Sequence, residues 1–296
     1  MSAGSPPTFG FQSAFLQRLE RLAVLSRRPL PGDSAGTRSS PRLGASVEFA
    51  DFREYAPGDD FRRIDWNTYA RLDRLFVRLY TAEERTTLTL LLDHSRSMSF
   101  GTPSKMVTSA RIAAIFSYIA LSAYDRVMVA GWGDRNERAL RPLSGKASVT
   151  QLWRAISAIA ENPSDAPDLS RCGRSARTQG LAIVIGDLLT ESDWRSGLKG
   201  LKSAGQEVSV VQILSSEELD PQVRGDWKLR DSESGTEIEI TASPRALKRY
   251  AQELEAHTAM IEEFCARQAM SFTRLSSDVD VEGAALHALH LTGVIA

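Results

Sequence analysis

Asp93, Ser95 and Ser97 stand at alternate positions in the stretch Asp93-His94-Ser95-Arg96-Ser97. One carboxylate and two hydroxyls at that spacing form an all-oxygen donor set, suited to a hard divalent cation. They follow Thr87-Leu88-Thr89-Leu90-Leu91-Leu92, an uncharged β-branched and aliphatic run. Such a run reads as a strand buried on both faces of a parallel sheet. The motif therefore sits where a strand delivers its carboxyl end into a loop, and open α/β sheets bind ligands at that end. Asp187 ends a second apolar run, Leu181–Gly186, and in a parallel sheet the two ends share one edge. Thr150 opens a helix between them and would turn its hydroxyl toward the same crevice; Ser148 competes for that role. Asp93, Ser95, Ser97, Thr150 and Asp187 thus offer two carboxylates and three hydroxyls from three loops. That set suits magnesium or manganese, with several positions left to water or open.

The elements that must position these residues alternate from residue 87 onward. A strand at 87–92 is followed by a helix over 104–123, for which Ser104 is a suitable N-cap. A second strand covers 125–132 and a third 138–143, paired by a short hairpin through 133–136. A helix follows at 150–160, then strands at 181–186 and 207–214 with a helix near 194–203 between them. Residues 227–230 and 236–240 alternate apolar and polar around a polar turn and read as a β-hairpin. A long helix at 246–268, a strand at 271–275 and a helix at 281–291 close the chain. Alternating strands and helices predict an α/β fold, a doubly wound, mostly parallel sheet with helices on both faces. Before it, Phe11, Phe15, Leu19, Leu22 and Leu25 recur at helical spacing and mark an amphipathic helix, read as packing on the domain, with a membrane-surface or partner-binding helix as the alternative. Residues 26–45, rich in Ser, Arg, Pro and Gly, read as a linker. The organisation predicted is residues 1–42 as helix and linker, 43–81 as a β-rich extension packed on the main domain, and 82–296 as the α/β domain.

Composition narrows the function. Lys plus Arg is 36 and Asp plus Glu is 37, giving a net charge of −1, with no basic excess for nucleic acid. Cys172 and Cys265 are only two and far apart, which argues against a disulfide scaffold or a cysteine-rich zinc site and fits a reducing compartment. No apolar run is long enough for a transmembrane helix, and the first residues lack the pattern of a signal peptide, so a cytoplasmic location is expected. Catalytic alternatives lack their parts. An aspartyl phosphotransferase wants a second acid two residues after Asp93, where Ser95 stands. Gly145-Lys146 runs into Ala147 without the upstream glycine of a nucleotide-binding loop. A serine hydrolase would need a nucleophile elbow, which is missing. His287 and His290 could share a helix face but have no acid or cysteine nearby in sequence, and read as ordinary histidines. The expectation is a protein that is not an enzyme. A hydrolase or phosphotransferase using the same metal, and a scaffold with a vestigial metal site, are the alternatives.

Two resemblances sharpen this. Asp93-x-Ser95-x-Ser97, the helix-opening Thr150 and the strand-end Asp187 resemble the metal-ion-dependent adhesion site of a von Willebrand factor A-type domain. His94 stands where a small residue is usual. Residues 47–80, VEFADFREYAPGDDFRRIDWNTYARLDRLFVRLY, resemble the signature of the domain of unknown function 58 family. The matching pieces are Glu48-Phe49, Arg53-Glu54-Tyr55, Pro57-Gly58-Asp59-Asp60, Arg62-Arg63-Ile64-Asp65-Trp66, Ala70-Arg71 and Val77-Arg78. These are bacterial proteins that combine this segment with a type A domain, and the resemblance covers about residues 38–280, including the hairpin at 229–235. Many family members begin with two membrane helices; this sequence shows none. The resemblance implies a non-enzymatic, metal-dependent interaction module, an adaptor or co-chaperone. Its partner would be a MoxR-type AAA+ ATPase or that ATPase's client, met through an acidic side chain. Within the signature, Arg53, Arg62, Arg63, Arg71, Arg74 and Arg78 lie among Asp59, Asp60, Asp65 and Asp73. They read as an internal ion-pair network beside buried Trp66, Tyr69 and Phe76, or else as an anion or partner surface. Residues 75–80 are expected as a strand added to the domain.

Overall fold

The computed structural model describes residues 9–22, 47–82, 87–132, 142–164, 168–174, 179–190, 192–232 and 235–283. The chain forms two compact units, residues 29–85 and the remainder, so the N-terminal helix groups with the larger one. In chain order the elements begin with α1 (Ser13–Leu19) of the larger unit, followed by β1 (Val47–Glu54), α2 (Trp66–Leu72) and β2 (Phe76–Ala82) of the smaller. The larger unit resumes with β3 (Thr87–Leu92), α3 (Lys105–Ser122), β4 (Arg126–Gly131), β5 (Leu143–Ser144), α4 (Val149–Ala160) and β6 (Gly180–Gly186). It continues through α5 (Trp194–Ser203), β7 (Gln206–Leu214), α6 (Ser216–Leu219), β8 (Gly225–Arg230), β9 (Glu237–Ala242), α7 (Pro244–Arg267) and β10 (Ser271–Ser276).

The larger unit is an α/β domain with a mixed, largely parallel sheet flanked by helices. Six strands run in the order β10-β7-β6-β3-β4-β5. Five are parallel, and β5 alone is antiparallel, pairing Leu143 and Ser144 with Val127 and Arg126 at the start of β4. Every residue of β3 and β6 is buried, as their uncharged sequences require. Successive side chains point to opposite faces. Leu88, Leu90 and Leu92 pack with α1, α3 and α4, while Leu91 packs on the other face with Trp194, Leu198 and Ile261 of α5 and α7. α3 starts at its expected cap, Ser104, whose hydroxyl accepts from Val107 N. It lies between sheet and neighbouring helices with almost no wet face, and Ile112, Ile115, Phe116 and Ile119 are fully enclosed. α1 packs as expected: Phe15 and Leu19 are buried in the same core. Glu20 pins its end, accepting from Tyr118 Oη at 2.8 Å and pairing with Lys146 at 2.8 Å. Burial first, and then the Glu20 contact, pushes the Tyr118 phenol up to about 12.

The expected hairpin forms as β8–β9, with Leu229 opposite Ile238 and Trp227 opposite Ile240. The linker at 26–45, the turn at 133–136, most of the third strand and most of the final helix lie outside the described residues; Val281–Gly283 begin that helix. Among the described residues no helix is long and apolar enough to cross a membrane.

The smaller unit differs from expectation in two ways. β2 is not a strand of the six-stranded sheet. It pairs antiparallel with β1, from Glu54 opposite Phe76 to Val47 opposite Ala82. Nor are Trp66 and Tyr69 buried: they are 62% and 39% exposed. One two-stranded sheet and a seven-residue helix supply too little second layer to enclose that face. Among the described residues the acids have these partners. Asp65 caps α2, accepting from Asn67 N and Thr68 N, and Asp60 accepts from Arg62 N. Asp59 pairs with Arg53 at 2.8 Å and Glu54 with Arg74 at 3.1 Å.

Candidate metal centre at the carboxyl edge

The carboxyl ends of β3, β4, β6, β7 and β10 fall on one edge because all five strands are parallel. From β3 the chain first builds outward through β4 and β5, then returns to add β6 on the other side. The switch point of the winding is therefore between β3 and β6, where open α/β sheets have their crevice. Asp93 leaves β3 there, its N–H donating to Ile185 O at 2.8 Å, and Asp187 leaves β6 beside it. Gly186 makes the approach possible: a Cβ at that position would lie 2.5 Å from Asp93 Cβ and 2.9 Å from its Oδ2. A Cβ at Gly131, at the end of β4, would lie 2.7 Å from the His94 ring, so the larger residue in the loop is accommodated by a missing side chain.

Four of the five expected residues come together. Asp93, Ser95 and Asp187 are each 2% exposed. Asp93 Oδ1 accepts from Ser95 N at 2.9 Å, which fixes the loop. Ser95 Oγ and Ser97 Oγ are 2.8 Å apart, and Ser97 Oγ donates to Asp187 Oδ2 at 3.3 Å. Asp187 is held in turn, its Oδ1 accepting from Leu189 N at 3.0 Å and its carbonyl from Gln212 Nε2 at 2.9 Å.

Thr150 does not join them. Only residues 145–148 separate α4 from Ser144, which pairs with Arg126 at the amino end of β4, and Ser148 Oγ donates back to Ser144 O at 2.9 Å. Thr150 and its competitor Ser148 therefore lie at the opposite edge of the sheet. α4 then runs about 18 Å toward the site at the usual helical rise. The residue it delivers is Ser164, whose N–H donates to His94 O at 2.7 Å and which forms a parallel bridge with Ser95.

Sequence reading also missed Lys105 and Glu218. Lys105, the first residue of α3, is fully buried and its Nζ donates to Asp187 Oδ2 at 2.7 Å and to Glu218 Oε1 at 2.5 Å. Burial works against the ammonium, but the Asp187 and Glu218 carboxylates outweigh it and hold its pKa above the ordinary lysine value. Glu218 belongs to a capping box: its Oε2 accepts from Ser215 N at 2.8 Å while Ser215 Oγ accepts from Glu218 N at 3.1 Å. Its signal in the sequence is Ser215-Ser216-Glu217-Glu218 after an apolar strand.

A magnesium-type ion binds hard oxygens octahedrally at 2.0–2.1 Å, so adjacent ligands stand about 2.9 Å apart, and it takes one or two carboxylates with water filling the rest. The Ser95–Ser97 and Ser97–Asp187 separations of 2.8 and 3.3 Å match such adjacent positions. Among the described residues no group of three or more His, Cys, Asp or Glu side chains is gathered for a metal. In kind, Asp93, Ser95, Ser97 and Asp187 fit a magnesium-type ion, and the spacing of Ser95, Ser97 and Asp187 fits it too.

Known proteins share parts of this chain. Uncharacterized proteins of Mycobacterium bovis and Mycobacterium tuberculosis are each 26% identical over 250 residues, 81% of this chain and 78% of the relative. The crystal structure of a conserved hypothetical protein BatB from Bacteroides thetaiotaomicron is similar with 15% identity and a TM-score of 0.41, over 70% of this chain and 98% of that one. An aerotolerance-related membrane protein from Bacteroides fragilis gives 16% and 0.42 over the same shares. The family described as Protein of unknown function DUF58 matches residues 51–260, a stretch that takes in the signature segment from residue 51 onward, the Asp93 loop, Lys105, Asp187 and Glu218. This chain belongs to the DUF58 family.

Proposed function

We propose that the chain is a non-enzymatic protein-interaction module of the von Willebrand factor A type, which captures an acidic side chain of a partner at the switch point. Asp93, Ser95, Ser97 and Asp187 would hold one magnesium or manganese ion. Bound there, the ion would supply an electrophilic centre for a carboxylate. The observation that carries this reading is the convergence of Ser95 Oγ, Ser97 Oγ and Asp187 Oδ2 at the spacing of adjacent ligands. The protein's own groups orient and exclude water: Ser95 N fixes Asp93, Leu189 N and Gln212 fix Asp187, and both carboxylates are 2% exposed. Hydroxyls bring no charge, so two carboxylates match a divalent ion and an incoming third would complete the site. Binding of this kind needs no proton transfer, and Lys105 is already committed to two carboxylates. The partner we assign is a MoxR-type AAA+ ATPase or its client, on the family resemblance. We assign the work to the cytoplasm, since Cys172 and Cys265 are both buried and free.

The test uses the purified full chain with the MoxR-type ATPase of the same host. Magnesium should promote capture, and both chelator and Asp93→Ala should abolish it while circular dichroism stays unchanged. With an affinity of roughly 0.1–1 mM, 5 mM magnesium should stabilise the wild type by about 1–2 kcal/mol. For a chain of this size that is a rise of a few degrees in melting temperature. Equal melting with magnesium and with chelator, together with equal capture, would overturn the reading.

A further inference from the structure

Lys105 is the one fully enclosed ammonium described in the molecule, and it points at the oxygen the ion would use. Its Nζ lies 2.7 Å from Asp187 Oδ2, the oxygen that also accepts from Ser97. An ion bound to that oxygen at about 2.1 Å would come within about 4.8 Å of the ammonium. Two cations at that range in a buried crevice repel strongly. The lysine also has somewhere else to go. Glu218 Oε1 already accepts from it, and the capping box holds Glu218 in place by its other oxygen. Tyr250 of α7 senses the same pair. Burial raises its pKa most, the Glu218 charge raises it further, and the Lys105 charge lowers it.

We propose that Lys105 is a built-in competitor for the cation. Its ammonium holds Asp187 Oδ2 when no ion is present and yields that oxygen, keeping Glu218, when one arrives. The proposal rests on the cation reading above and adds a specificity-determining residue to it. Two consequences follow from the charges. The ammonium balances one of the site's carboxylates and holds the Asp187 loop before any ion binds, so folding does not wait on metal. The ammonium also keeps ion affinity low until a partner's carboxylate adds a negative charge beside it, which couples uptake of the ion to capture of the partner.

Calorimetric titration of the full chain with magnesium alone tests this, using Lys105→Met, Glu218→Gln, the double variant and Asp93→Ala. Lys105→Met should bind magnesium about tenfold or more tightly than wild type, the scale on which one charge at this range shifts a neighbouring ionisation. Glu218→Gln should bind it several-fold more weakly, because the ammonium then rests on Asp187 alone. The double variant removes both charges, avoids leaving an unpaired carboxylate, and should still bind more tightly than wild type. It carries the test if Lys105→Met does not fold. A lysine that only braces the fold would lower stability without moving the two affinities in opposite directions. Magnesium binding that is abolished by Asp93→Ala, yet unchanged or weakened in the Lys105 variants and unchanged in Glu218→Gln, would overturn the competitor role and leave the cation site standing. Absence of binding in every protein would overturn both.

Discussion

Two regions of this chain are dense in paired charge, and they differ in what surrounds them. At the switch point, Lys105, Asp187 and Glu218 have side chains 0%, 3% and 15% exposed. In the signature segment, Arg53 with Asp59 is 49% and 22% exposed, and Arg74 with Glu54 is 72% and 64% exposed. Bond lengths hardly separate the two sets. What separates them is the alternative open to each group if its partner is lost. An exposed arginine turns to water; a buried carboxylate has nothing to turn to. Trp132 and Trp153 are enclosed in the large unit, which also exposes Phe100, Tyr124 and Trp227, whereas Phe61 and Trp66 of the small one are 65% and 62% exposed. Charge density in a sequence is therefore a poor guide to which ion pairs matter.

The comparison breaks most sharply at Lys105. Lys105→Met, measured by urea unfolding without magnesium, should cost about 3–5 kcal/mol, the usual cost of stranding a buried charge. That corresponds to roughly 10 °C or more in melting temperature for a domain of this size. A loss no larger than that of a surface substitution would erase the contrast. Gly186→Ala comes next. Its Cβ would meet Asp93 Cβ at 2.5 Å and the Trp132 ring at 2.7 Å, so the edge must shift, at about 1–3 kcal/mol. The same change should dim the magnesium response. A smaller effect concerns Cys265, which burial, helped by Glu262, pushes up to about 12. Because its folded pKa is raised, its contribution is fully present below the unfolded thiol's pKa near 8.5 and is lost as pH rises toward that higher value. The native thiol should resist alkylation at pH 8 and react once the chain unfolds. The smallest effect is expected from Arg53→Ala and Arg74→Ala, which should leave the unfolding midpoint where it is at low and high salt. A salt-sensitive drop would mean that the signature pairs do more than their exposure suggests.

Much of the site was legible because β3 and β6 are uncharged, fully buried runs that end in acids. A strand of that kind announces both its place in the sheet and the edge at which its last residue emerges. Thr150 misled for a related reason. A helix that directly follows a parallel strand starts at the carboxyl edge, but β5 intervenes and carries the chain back to the amino edge first. The hairpin expected through 133–136 already implies that return to the amino edge, and placing Thr150 in the crevice overlooks it. Ser164 was missed in consequence: Asn162-Pro163-Ser164 looks like any loop until α4 is known to end at the site. Lys105 had a signal that went unread. Between Lys105 and Ser122 the only other charged residue is Arg111, so the helix has almost no polar face to offer water. A lysine in such a helix needs an internal partner. In the small unit the aromatic residues suggested a core, but aromatic content does not reveal whether a second layer exists to bury it.

The route of the chain through the switch point also sets a timetable. Asp187 follows Lys105 by 82 residues and Glu218 follows it by 113. At ribosomal rates of roughly 5–20 residues per second, the ammonium waits several seconds or more for its first acceptor and longer for its second. During that interval β3 and α3 can meet β4, but the lysine cannot be enclosed without leaving an uncompensated charge inside. Closure of the crevice is thereby deferred until β6, β7 and α6 have been made, with α7 and β10 still to be added to the domain.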